Sequence, residues 1–454
     1  MTRRLVVVSY DFAPRLSPGT LRWLRLVRYL PDQGWLPAVV TSADSNGLQD
    51  VELLEQIPPA VSVTRVPTLG TYPRVVGAID RLSGLRSRLM RREKTSPVSH
   101  HECRSSRGRA AGPGDYLVSH LFVPDHAVDW LPRALPAAQQ ILRQHQSRLL
   151  ITTSPPHSVH LLGLAIKRAA PWRVRWIADF RDPWMDNATR KYAKARSPLL
   201  DRLEAGMERR VIMGADLILA NTPRNRTRLL SRYPDLPEGK VVVLPNGYDP
   251  AGFPGSQPFP ARNHRMTITF VGYFYQIFGE GFLDAVERAL TLHPELNGGI
   301  QLRLIGQQAD PIRARLHRLA SRDPEMVALL GPLAHRQSLA ELQAGDVLLC
   351  LNYPGEEGKA CVPSKLYEYL AVGKPILLLS PPGDAWDLVR LAKAGECVHP
   401  SDGELLVETI WRLYGRWRDG SLAVSADRRV IRPFRSDEQA RILAGHLENL
   451  DRRT

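Results

Sequence analysis

Residues 363–380 read PSKLYEYLAVGKPILLLS: a proline and a serine, a short helical pattern, a glycine turn and an unbroken apolar run. Pro363 stops any helix from running into this one, and Ser364 is placed to cap it. The first turn then offers unpaired backbone N–H groups and a positive dipole end, which suit a phosphate. Lys365 brings a mobile positive charge to the same spot. Glu368 follows three residues later, so both side chains can face one way. A carboxylate beside a phosphate needs another partner, and the two vicinal hydroxyls of a ribose fit it. After Gly373 and Pro375 the apolar run from Ile376 reads as a buried strand. The stretch is one helix–strand unit of an α/β protein, with the signature of a nucleotide-diphosphate grip.

Outward from it, the pattern repeats on both sides. Upstream in the second half lie MTITFVG (266–272), IQLRLIG (300–306), MVALLG (326–331) and DVLLCLN (346–352), and downstream lies ECVHP (396–400). Helical patterns at 280–292, 311–321, 337–343 and 384–394 separate them. The first half holds LVVVSY (5–10), PAVVTS (37–42), VSVTRV (61–66), LLITTS (149–154), VRWIADF (174–180), DLILANT (216–222) and KVVVLPN (240–246), with helical patterns such as 20–31, 131–145, 156–169 and 197–213 between them. Continuous apolar strands alternating with helices predict parallel sheets covered on both faces. The fold class is therefore α/β, with two doubly wound, Rossmann-like domains facing a cleft. The expected division is residues 1–248, a Pro- and Gly-rich linker at 249–264, a second domain at 265–435, and a terminal helix at 436–454 packing back on the first domain.

The 454 residues are 43% hydrophobic and 24% charged, enough for a large soluble core. Four scattered cysteines, Cys103, Cys350, Cys361 and Cys397, form no CxxC pair and no histidines show HExxH spacing, so neither a disulfide frame nor a metal is expected. There is no apolar run long enough to span a bilayer, and Asp11 and Pro14 end the N-terminal run too early for a signal peptide. The net charge of +15 lies wholly in residues 1–250, which hold 37 Lys and Arg against 22 Asp and Glu, whereas residues 251–454 hold 24 of each. A basic half joined to a neutral half points to an anionic partner of the first half. Residues 73–93 add a basic amphipathic helix, with Val75, Ile79, Leu82, Leu85 and Leu89 as its stripe and Arg74, Arg81, Arg86, Arg88, Arg91 and Arg92 around it. A polar loop is expected at 94–115.

Ligands of doubly wound folds bind at the carboxyl ends of strands, so the residues there are the site candidates. Gly19 follows the first strand and can let a ligand approach the backbone. TTSPPHSVH puts His157 at a strand-to-helix turn, and ADFRDPWMDN puts Asp179, Arg181, Asp182 and Trp184 at another. In the second half, Gly272 and Tyr273 end the first strand.

Taken together, TSPPHSVHLLGLAIKR, ADFRDPWMDN, ADLILANT, LPNGYDP and above all PSKLYEYLAVGKPIL resemble the GT-B glycosyltransferases of the retaining family 4 kind, in the subgroup of O-antigen, capsule and exopolysaccharide assembly. The resemblance covers nearly the whole chain except about residues 45–115. It implies a nucleotide-diphosphate sugar donor, UDP-linked, held without a metal or other cofactor. It further implies a glycan or lipid-linked acceptor, and the basic first half adds an anionic membrane surface on the cytoplasmic side. By the same resemblance Glu368 is the second glutamate of a Glu–seven residues–Glu motif and holds the ribose. Lys365 and Ser364 with their backbone face the diphosphate, Gly19 matches the first-loop glycine, and Arg181 and Asp182 fall where relatives carry a catalytic-site histidine. Two departures stand out. The first motif glutamate is replaced by Ala360, with Glu356 and Glu357 out of register, and Tyr273 and Phe278 replace the relatives' phosphate-binding Arg–Lys pair. The rivals are a sugar-nucleotide 2-epimerase of the same architecture and a basic nucleic-acid-binding protein. No nucleic-acid recognition motif is visible, so no nucleic-acid partner is expected.

Overall fold

Strand order follows from which apolar runs can be covered on both faces. The computed structural model of the chain describes residues 3–44, 47–89, 113–170, 174–187, 190, 196–253, 263–422 and 426–452. The chain divides into two units: Met1–Asn221 with Asn225–Leu244 and Ala440–Thr454, and Thr222–Arg224 with Pro245–Gln439. Each is built on one parallel sheet, the α/β class that the sequence predicts.

In the first unit the strands are β1 (Arg3–Ser9), β2 (Trp35–Ser42), β3 (Ser62–Val66), β4 (Leu149–Ser154), β5 (Arg175–Phe180), β6 (Leu217–Ala220) and β7 (Val241–Val243). They lie in the order β3-β2-β1-β4-β5-β6-β7. Val7 pairs with Val39 on one side and Ile151 on the other. Successive residues of β1 enter opposite cores: Leu5 and Val7 join Trp23 and Leu24, while Val6 and Val8 join Trp130 and Trp176. A strand buried on both faces cannot alternate apolar with polar, which is why these runs are continuous. The helix Ser436–Asp451 supplies Ala440, Leu443, Ala444, Leu447 and Leu450 to the Leu5–Val7 core. Their spacing of three and four residues makes one apolar stripe. The end of the chain thus completes one face of the sheet that its beginning starts.

In the second unit β8 (Met266–Val271), β9 (Ile300–Ile305), β10 (Val327–Gly331), β11 (Val347–Leu351), β12 (Ile376–Leu379) and β13 (Gly395–Val398) run in the order β10-β9-β8-β11-β12-β13. Both sheets therefore contain a point where the winding reverses, between β1 and β4 in one and between β8 and β11 in the other. Loops diverge there and open a crevice at the carboxyl ends of the strands.

Several expectations need adjustment. The helix expected at 73–93 is Thr71–Leu89. Arg91 and Arg92 and the side chains of residues 82–89 lie outside the described residues, as do 94–112 of the expected loop and 254–262 of the expected linker. A helix Pro113–Leu121 occupies the loop's end. Helices not anticipated include Pro223–Arg232, where arginines outnumber apolar residues, and Gly403–Arg418, whose Leu406, Val407, Ile410, Leu413 and Tyr414 form a buried stripe. Among the described residues no helix is long and apolar enough to cross a membrane.

Candidate functional site

In the second unit the helix Ser364–Val372 is docked on the end of β8 by two polar contacts. The Val271 N–H donates to the Tyr369 hydroxyl at 3.1 Å, and Lys365 Nζ donates to the Val271 carbonyl at 2.8 Å. Lys365 Nζ also lies 3.8 Å from the centre of the Phe270 ring. The cation is therefore pinned, which corrects the expectation of a mobile charge: carbonyl and ring together stabilise it while it is half-buried. Burial still pushes its pKa down to about 8. Gly272 adopts φ +119°, a backbone conformation that favours glycine, and a Cβ there would sit 3.2 Å from Lys365 Nζ. Lys365 and Gly272 are thus neighbours at the reversal point of the sheet.

The Ser364 cap is a second correction. Pro363, at φ −53° and ψ 130°, occupies the cap position, Ser364 is the first helical residue, and among the described residues no side chain caps the helix. The fixed φ and extended ψ of the proline mark the boundary by themselves. Glu368, one turn along, is buried, and its Oε1 lies 2.8 Å from His335 Nε2, at the start of the helix His335–Ala344. Sequence reasoning missed His335, because a single histidine at a helix start carries no local signal of its distant carboxylate partner. Tyr273 is 38% exposed and continues into a row of edge-on and tilted rings, Tyr275, Phe278 and Tyr353. Aromatic surface stands where the resemblance leads one to look for Arg and Lys. Ala360 is buried, and Glu356 pairs with Lys359.

In the first unit, Ser154 at the end of β4 organises the neighbouring residues. Its carbonyl accepts from the Arg181 N–H and from Arg181 Nε, both at 3.0 Å, and Arg181 Nη2 donates to the Pro155 carbonyl. The guanidinium lies over Gly19, where an added Cβ would come within 1.7 Å of Nη1. The space above Gly19 thus holds the end of the Arg181 side chain. Arg181 and Asp182 are not joined as the surface pair their adjacency suggests, since the guanidinium turns to the β4 carbonyls. Burial raises the pKa of the half-buried Asp182, opposed by the Arg181 charge.

Asp179, fully buried at the end of β5, is saturated by Arg22 (2.9 and 3.2 Å), Trp23 Nε1 (2.8 Å) and Thr153 Oγ1 (2.8 Å). It ties the first helix to two strand ends and has a structural role. His157 begins the helix Ser158–Ala169, stacked on Trp184 at 5.1 Å with its Nδ1 3.1 Å from Ser154 Oγ. Burial first, then the neighbouring His160 and the charges of Arg190 and Arg181, hold its pKa well below 6.5. The structure thus gathers Gly19, His157 and Arg181 around Ser154 in the first unit, and Gly272, Tyr273, Ser364, Lys365 and Glu368 at the β8 end in the second. Among the described residues no three His, Cys, Asp or Glu side chains gather as a metal site.

Residues 98–251 match the Glycosyltransferase Family 4 profile. An exopolysaccharide phosphotransferase of Streptomyces coelicolor is 28% identical over 325 residues, 71% of this chain but 30% of that protein, so the chain spans under a third of this relative's length. Among solved structures, sucrose-phosphate synthase from Thermosynechococcus elongatus aligns with a TM-score of 0.66 at 15% identity over 100% of both chains. An Anabaena protein in complex with UDP-glucose aligns with a TM-score of 0.60 at 14% identity over 98% of this chain and 99% of that one. At such identities these structures share the fold, two Rossmann-like domains of the GT-B type.

Proposed function

We propose that this family 4-like GT-B chain is a retaining glycosyltransferase. It moves a sugar from a nucleotide-diphosphate sugar, UDP-linked, to a glycan or lipid-linked acceptor. One observation carries the reading. A pinned lysine and a buried glutamate three residues apart sit on a helix docked at the reversal point of the second sheet. A cation beside a strand-end glycine suits a diphosphate, and an oriented carboxylate suits the ribose hydroxyls. The second unit would take the donor and the first the acceptor. Charge stabilisation of the departing diphosphate is the chemical contribution of Lys365 and the helix start, without a metal.

The UDP-glucose complex of the Anabaena neighbour supports a nucleotide-sugar donor, and the printed name of the Streptomyces relative supports polysaccharide assembly. An anionic membrane surface on the cytoplasmic side is the proposed partner of the first unit. It exposes Leu117 and Leu121 on one helix and Leu199 and Leu203 on another. His120 Nε2, 3.1 Å from Ser197 Oγ, ties the two helices. The basic excess of residues 1–250 accompanies these apolar side chains.

The test is a thermal-shift screen of UDP, GDP, dTDP and their sugars, with and without EDTA. A ligand at a hundred times its Kd adds about 2.7 kcal/mol. The expected result is a shift by uridine compounds that EDTA leaves unchanged. A chain that no nucleotide stabilises is not a nucleotide-sugar transferase.

A further inference from the structure

A buried row of side chains leads from the core of the first unit to His157. Trp176 Nε1 donates to Thr152 Oγ1 at 2.8 Å. Thr152 Oγ1 lies 2.8 Å from His160 Nδ1, His160 Nε2 lies 2.8 Å from Ser154 Oγ, and Ser154 Oγ lies 3.1 Å from His157 Nδ1. Trp176, Thr152, His160 and Ser154 are all fully buried, and His157 is 8% exposed. His157 Nε2, the last atom of the row, is enclosed and has no hydrogen-bond partner among the described residues.

The direction of this row is fixed at its inner end. An indole N–H can only donate. Thr152 therefore accepts from Trp176, and its own hydrogen is satisfied by pointing to His160 Nδ1. A neutral imidazole that accepts at Nδ1 carries its hydrogen on Nε2. His160 is held neutral by burial, with its pKa down at about 3. It therefore donates through Nε2 to Ser154, and the Ser154 hydroxyl passes its hydrogen to His157 Nδ1. The hydrogen of His157 is thereby left on Nε2, the orphaned atom. A buried donor without a partner is uncommon and needs a cause. This one stands at the carboxyl end of β4, beside the reversal point of the sheet, where ligands of this fold class bind.

We propose that Trp176, Thr152, His160 and Ser154 act as positioning residues that lock His157 in the Nε2–H tautomer, making it a hydrogen-bond donor to a saccharide oxygen of the bound substrate. His157 then recognises and holds an oxygen and does not act as a base, because its only basic nitrogen is engaged by Ser154. The identity of the ligand rests on the glycosyltransferase reading, whereas the tautomer rests on the hydrogen-bond row alone.

The experiment is long-range 1H–15N correlation on the full chain labelled with 15N-histidine, His157 being assigned by its loss in His157→Gln. The expected spectrum shows bare Nδ1 and protonated Nε2 at neutral pH. Ser154→Ala should let the Nδ1–H form appear, and Ser154→Thr, which keeps a hydroxyl, should restore the wild-type pattern. An imidazolium, an Nδ1–H tautomer in the wild type, or a spectrum indifferent to Ser154→Ala overturns the lock. Glucose, galactose or N-acetylglucosamine, used as fragments of the acceptor at saturation, should move the Nε2–H proton downfield, and UDP alone should not. Equal effects of sugar and UDP, or none from any of the three sugars, overturn the saccharide contact and leave a buried water as the partner. A wild type that binds no nucleotide while keeping the tautomer sinks the proposed function and leaves the lock standing.

Discussion

Lys365 keeps its charge in a half-buried place, and its depressed pKa turns that into a pH dependence. Below about 8 the ammonium is present; between about 8 and the ordinary 10.5 the folded protein binds fewer protons than the unfolded chain. Its desolvation thus opposes folding at low pH, and stability rises as pH climbs through that window. A diphosphate reverses the preference, because it pairs only with the ammonium. With a free pKa near 8, the protonated fraction drops from about 0.9 at pH 7 to about 0.1 at pH 9, so affinity for UDP should fall roughly tenfold. Calorimetry at the two pH values checks this, and Lys365→Ala should bind weakly with a flat profile. Glu368 is a second residue-scale case. Glu368→Ala should cost about 2 kcal/mol of donor-nucleotide affinity, the range for hydrogen bonds to charged groups. His335→Ala should cost less, since it removes one partner of the carboxylate and keeps the carboxylate. Unchanged affinity in Glu368→Ala by calorimetry would remove the carboxylate from the ribose.

At the scale of elements, the terminal helix and the first helix hold the ends of the β-strands where they are needed. Leu443 and Leu447 are fully buried against the β1 face. Replacing either by Ala should cost about 2–5 kcal/mol, because it removes transfer energy and leaves a cavity. Chemical denaturation of each variant measures the loss, and a cost below 1 kcal/mol would mean the helix is only lightly attached. Gly19→Ala acts through an element as well. Its Cβ would overlap the guanidinium of Arg181, so the arginine must leave the Ser154 and Pro155 carbonyls. We expect turnover to drop at least tenfold with donor-nucleotide affinity unchanged, because Lys365 and Glu368 are built on the other sheet.

Across the whole molecule the charge is uneven, and residues 1–250 carry the entire net +15. Each basic residue near an anionic surface contributes about 1 kcal/mol, within a Debye length of about 8–10 Å. Co-sedimentation with anionic vesicles should therefore succeed at low salt and fade at high salt, with neutral vesicles left unbound. Charge reversal of the exposed Arg74, Arg81 and Arg202 should weaken pelleting while donor-nucleotide binding persists. A wild type that stays in the supernatant with anionic vesicles at low salt has no such surface.

Local sequence suffices for the alternation of elements, the α/β class, and the strand ends that carry the candidate residues. Continuous apolar runs such as LVVVSY and LLITTS read directly as strands buried on two faces, since their reason is local and periodic. The site was legible as far as single segments go: Lys365 and Glu368 on one helix, His157 and Arg181 after neighbouring strands. Which atoms those side chains meet depends on how distant segments pack. The carboxylate of Glu368 meets His335, thirty-three residues away, and Gly19 lies under Arg181, brought there from another strand end. The tautomer of His157 is set by Trp176, whose indole reaches Thr152 from the next strand. Such contacts join distant segments through packing of the sheet, and no local periodicity encodes them.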